Sequence, residues 1–174
     1  MRRLPKTYDL EFEPLARMSF RATRRFVNDA DDLITKWSGI ERLDQAMRDE
    51  SPNAWFKRNA YRFLKRYVDA GQTAVFDDAI RRPPRQSSRR IPRRHLVGVD
   101  AIRDNPFKLG LFAMFSDDSL SRSDRHIFGN QMLYAHQHDV PPEHLIAFIR
   151  AAGSPPRIAD KLRSGAREPS TNFG

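Results

Sequence analysis

Seven guanidinium groups fall within fourteen residues, at Arg81, Arg82, Arg85, Arg89, Arg90, Arg93 and Arg94. The stretch reads RRPPRQSSRRIPRR and holds neither lysine nor acid. What such a cluster can do is neutralise anions. Seven positive charges this close repel one another unless negative charge lies between them, so the implied partner is a polyanion. Nucleic acid comes first, ahead of an acidic protein surface or an anionic membrane. The whole chain carries a formal +9, so this segment supplies seven of the nine charges and the other 160 residues sit near +2. The excess of arginine over lysine, 25 to 6, is set as readily by genome base composition as by function and carries no weight here. The clustering keeps its weight.

A second basic track lies upstream. With Arg58 as zero on a helical wheel, Arg62 falls near about 40°, Lys65 near about −20° and Arg66 near about 80°. The apolar residues Phe56, Ala60, Phe63, Leu64 and Tyr67 centre on the opposite side. Trp55, near about 60°, falls among the charges. An indole exposed in a basic stripe can stack on a base or sugar while its neighbours neutralise phosphates. The plainer alternative is a solvated helix face with Trp55 packed on a neighbouring lobe.

Other chemistry is weaker. His126, His136, His138 and His144 crowd into nineteen residues. On a helix, though, His136 and His138 point about 200° apart, and His144 lies beyond Pro141-Pro142. No acid stands at an established metal spacing, so surface histidines near a helix end are expected and no metal or other cofactor. There is no phosphate-binding glycine loop and no GxSxG. Asp117, Asp118 and Asp124 sit beside serines and read as caps and turn residues rather than catalytic carboxylates. The sequence thus predicts a protein that is not an enzyme.

The elements that must position these groups are mostly helical. Tyr8, Leu10 and Phe12 alternate with acids and predict a short strand, for which His95–Val99 is the candidate partner in a two-stranded ribbon. From Leu15 to Trp37 the apolar repeat is helical with a stop at Gly39, but Arg17, Arg21, Arg24 and Arg25 come early and Asp29, Asp31 and Asp32 late, against the macrodipole, so either two shorter helices meet near Asn28 or the early arginines serve a partner. Ile40, Leu43 and Met47 predict a short second helix. Ser51 as N-cap and Pro52 at the first position open the clearest helix, which Gly71 ends. A shorter helix runs from Thr73 to Arg82, and Pro83-Pro84 stop it. Beyond the arginine segment, Asn105-Pro106 start a run (PFKLGLFAMF) that is apolar nearly all round and so buried on all sides. Ser123 is the expected cap of the next helix; Pro141-Pro142 and Ser154-Pro155 open the last two, separated by Gly153. The segments 123–138, 142–152 and 156–163 have turns short enough for a helix-turn-helix, with Glu143, His144, Ala147 and Arg150 presented to a groove. That surface is weakly charged and carries an acid, so plain helical packing is the stronger reading.

The expected fold is therefore mainly α: a compact multi-helix protein, divided as two helical lobes with a minor two-stranded β element. The N-terminal lobe spans 1–82, an arginine-rich linker 83–94, the C-terminal lobe 95–164 and a flexible tail 165–174. No cysteine is present, which excludes disulfides, thiolate catalysis and cysteine-ligated zinc. No apolar run reaches the roughly 18–20 residues that span a bilayer, and the N-terminus lacks the apolar core of a secretory signal. A cytoplasmic protein is expected. The expected function is non-catalytic nucleic-acid binding, DNA favoured, as a regulator or a small subunit of a nucleoprotein complex. The competing expectation is an assembly subunit whose basic loop docks on an acidic partner protein.

Overall fold

The computed structural model describes residues 10–12, 20–81, 102–115 and 119–168. Its organising element is the helix α2, Pro52–Asp69, which follows α1, Phe20–Glu41. Ser51 caps α2, its hydroxyl accepting the Ala54 N–H at 3.2 Å, and Pro52 occupies the first helical position. At the other end Gly71 adopts φ +65°, a conformation glycine reaches without a Cβ penalty. That turn lets the Gly71 and Gln72 N–H groups close on the carbonyls of Val68 and Tyr67, at 3.0 and 2.8 Å, and satisfies the helix end.

The remaining helices are α3 (Ala74–Arg81), α4 (Pro106–Met114), α5 (Arg122–Gln137), α6 (Leu145–Ala152) and α7 (Pro155–Ser164). Helix α2 touches α1, α4, α5 and α6, so most of its circumference is covered. One aromatic group, Phe26, Phe63, Tyr67 and Phe76, joins α1, α2 and α3 at ring separations of 5.2–5.7 Å. A second group, Trp37, Phe56, Phe115 and Phe128, joins α1 and α2 to α5 and the end of α4. Helices on both sides of residues 82–101 thus contribute to one buried cluster.

As its composition predicts, α4 is buried almost all round. Its cap, Asn105, accepts the Phe107 and Lys108 N–H groups at 3.1 Å each and donates from Nδ2 to the Gly129 carbonyl on α5 at 3.2 Å. Gly129 is required there. A Cβ at that position would stand 3.0 Å from the Lys108 backbone, so α4 and α5 approach as closely as they do because no side chain intervenes.

Several expectations are corrected. No strand occurs among the described residues. Leu10–Phe12 is irregular: the Leu10 N–H donates to Asn59 Oδ1 of α2 at 3.0 Å, and Phe12 packs on Phe63 at 5.0 Å. A side-chain acceptor thus takes the backbone donor at Leu10, and Leu10 and Phe12 pack against the helical core rather than standing in a strand. Tyr8 and His95–Val99 lie outside the described residues. Helix α1 runs unbroken through Asn28 and past Gly39, whose surroundings are open. Between α1 and α2 the predicted helix shrinks to a single 3-10 turn, Gln45–Met47. The cap of α5 is Ser121, which accepts the Asp124 N–H at 3.0 Å, rather than Ser123. A second 3-10 turn, Pro142–His144, leads directly into α6.

Candidate nucleic-acid interface

Of the seven clustered arginines, Arg81 is the last residue of α3 and is exposed; Arg82, Arg85, Arg89, Arg90, Arg93 and Arg94 lie outside the described residues. Next to this exit, Arg103 meets Asp77 of α3 at 3.3 Å, tying the chain's re-entry to the helix it left.

The track on α2 is fully described, and each of its cations already has company. Arg58 holds Glu50 in a fork-to-fork pair with both N–O distances at 2.6 Å, the side chains 16% and 20% exposed. Arg62 lies 3.9 Å from Glu143, which stands in the turn leading into α6. Lys65 bonds Asp69 at 2.7 Å, one helical turn on. Arg66 lies over the Phe12 ring at 5.0 Å, and burial lowers its pKa. Burial pushes the Asp69 carboxyl up, but hydrogen bonds from Lys65 and His136 outweigh it and hold the group below the usual carboxylate range. The outward face of α2 is thus a set of ion pairs, not an uncompensated stripe.

Trp55 does not join that face. It is 1% exposed, packed in the core, and offers no ring surface to a base. The wheel assigned it to solvent because the apolar stripe looked narrow; with four helices around α2 the buried sector is wider than the stripe. Lys57, two residues on and so on another side of the helix, is also drawn inward, over the Phe128 ring at 4.1 Å, and burial lowers its pKa against the pull of Asp124.

The histidines are dispersed. His136 Nε2 pairs with Asp69 Oδ1 at 2.9 Å, His138 bonds the Tyr134 carbonyl at 2.7 Å, and His126 packs edge-on against Phe112. Among the described residues no three His, Asp or Glu side chains converge as a metal site would need. Asp124 serves the Ser121 cap, while Asp117 and Asp118 lie outside the described residues. In the α5–α6–α7 unit Glu143, His144, Ala147 and Arg150 are exposed as expected. Glu143, however, faces Arg62 of α2, so this surface abuts the body of the protein at one end.

Sequence reasoning missed the acids that answer the α2 cations. Lys65 and Asp69 were legible as an i,i+4 pair, since residues four apart share a helix face. Glu50 stands just before the Ser51 cap, within reach of Arg58 once the chain turns into the helix. Glu143 had no local signal. Also unforeseen is a cleft of about 640 Å³ between Leu10–Phe12 and α1, lined by Glu11, Arg25, Asp29, Asp32, Thr35 and Lys36. Its charges are mixed, and Arg25 sits 3.8 Å from Asp29. Among the described residues, no helix is long and apolar enough to cross a membrane. Compared with known protein families, curated proteins and solved structures, the chain finds no match.

Proposed function

We propose that this protein binds nucleic acid without catalysis, through the arginine segment 81–94, with DNA the favoured form. One observation carries the reading: seven arginines stand in fourteen residues with no acid among them, whereas the α2 cations are matched by acids or drawn onto rings. Contacts of this kind are to phosphates, which set affinity and register but not sequence preference. Under this reading the α-helical body presents the segment, and the protein works in the cytoplasm as a regulator or as a small subunit of a nucleoprotein complex. Arg58, Arg62, Lys65 and Arg66 contribute to the field near the body rather than direct contacts, and Trp55 contributes through the core.

Fluorescence anisotropy with labelled single- and double-stranded DNA and RNA tests it. Seven phosphate contacts predict an affinity loss of about a thousandfold or more between 50 and 200 mM salt. A variant with all seven arginines replaced by serine should not bind. Absence of binding to every probe at low salt would overturn the reading and direct the search to acidic protein partners.

A further inference from the structure

The chain after α7 does not leave the body at once. Gly165, at φ +68°, turns it back, and the Ala166 N–H closes on the Lys161 carbonyl at 3.1 Å. Residues 166–168 then lie across the ends of α5 and α7. The Glu168 carboxylate is held by Lys161 Nζ and by the Tyr134 hydroxyl, the latter at 3.0 Å, and Lys161 also donates to the Ala152 carbonyl at 3.0 Å. The Tyr134 hydroxyl lies 3.3 Å from the Ala166 carbonyl as well.

One bond in this set fixes a protonation state. The Glu168 backbone N–H donates to His138 Nε2 at 2.9 Å. An amide N–H can only donate, so Nε2 must carry its lone pair, and the ring's single proton sits on Nδ1, which donates to the Tyr134 carbonyl at 2.7 Å. His138 is also wedged between rings, 4.4 Å from Tyr134 and 5.3 Å from Phe148, which limits its freedom to swing away and rebond. A second proton on the imidazole would occupy the lone pair that the strap uses, and two donors would face each other.

We propose that residues 165–168 form a proton-gated strap, closed while His138 is neutral and released when it is protonated, uncovering the Tyr134, His138 and Phe148 rings. Of the charged groups around His138, the Glu168 carboxylate of the strap attracts a charged ring, while Lys161 of α7 holds the same carboxylate, so release requires that losing the bond to the lone pair outweighs that attraction. Arg157 of α7 acts on Tyr134, Asp139 follows His138 at the end of α5, and α6 presents the apolar Phe148. Hydrogen bonds from Lys161, against burial, and then from Tyr134 hold the Glu168 carboxyl below the usual range, so it stays ionised. The strap is independent of the polyanion reading.

The test is backbone ¹⁵N relaxation of the full chain at pH 7.5 and 5.0, reading the Ala166 to Glu168 amides. In the wild type the order parameter should fall from about 0.85 to below about 0.6, in step with the His138 ring titration. His138→Gln supplies an acceptor that does not titrate, so its strap should give the same order parameters at both pH values. Glu168→Gln should loosen the strap yet keep its pH dependence. Order retained in the wild type at pH 5.0, mobility already present at pH 7.5, or an unchanged pH response in His138→Gln would each overturn the proposal. Circular dichroism at both pH values separates local release from unfolding.

Discussion

The basic run 58–66 on α2 and the segment 81–94 look alike in the sequence, each a set of cations with no acid between them. They differ in how far an answering acid has to come. Glu50, Asp69 and Glu143 reach α2 because a packed helix has neighbours on every side: the residue before its cap, its own next turn, and the turn into α6. The 81–94 segment holds seven cations and three prolines. Two or three stray acids from elsewhere would still leave most of that charge unanswered. A basic stripe on a core helix is therefore weak grounds for a polyanion site, while a basic cluster dense enough to outnumber any supply of acids is stronger.

The largest expected effect falls on the segment. Replacing its seven arginines by serine should cost at least a thousandfold in nucleic-acid affinity at 50 mM salt, with the thermal midpoint of unfolding unchanged. Trp55 provides the converse case. Trp55→Ala should cost about 3–5 kcal/mol of stability in urea unfolding, because the ring is 1% exposed. Trp55→Phe should cost much less, since the indole N–H it removes has no hydrogen-bond partner among the described residues. Neither should alter the affinity of the folded protein by more than about twofold. A loss of affinity in Trp55→Phe with stability intact would restore the stacking role and erase the contrast between the two regions.

How much of this was legible follows from what local sequence can encode. The limits of α2 were legible because Ser51, Pro52 and Gly71 act on their own backbone. The burial of α4 was legible because almost every one of its residues is apolar. What was not legible depends on partners distant in the chain. The direction of Trp55 is set by four packed helices, and the conformation at Leu10 by Asn59, forty-nine residues away. The compensation of Arg62 needs Glu143. The arginine segment was found by composition alone, which is why its reading rests on charge and not on geometry.

Arg58 tests the α2 side of the comparison at intermediate strength. Its two short bonds to Glu50 are mostly screened from solvent, so Arg58→Ala should destabilise by about 1–3 kcal/mol, as urea unfolding would measure. Its effect on affinity should stay within about threefold, a field contribution only. A loss on the scale of the segment variant would mean that the Glu50 pair opens to admit phosphate.

The smallest effect is also the one whose pH dependence is fixed in sign. Asp69 accepts from both Lys65 and His136, and these bonds hold its folded-state pKa below the usual value near 3.8. A carboxyl depressed on folding stabilises fully above its unfolded pKa, and that contribution is lost as the pH falls through the lower folded value. The side chain is 48% exposed, so solvent screening keeps the contribution under about 1 kcal/mol. Asp69→Asn should therefore lower the urea midpoint slightly at pH 7, and the difference from wild type should shrink as the pH is taken below about 4. In nucleic-acid binding the same variant removes one acid and leaves Lys65 without its helical partner. If the α2 face is only a set of ion pairs, affinity should rise by no more than the field of one charge allows, about twofold at 100 mM salt. A larger rise, with a steeper salt dependence, would show that Asp69 had been masking a contact and that α2 and the arginine segment belong to one surface.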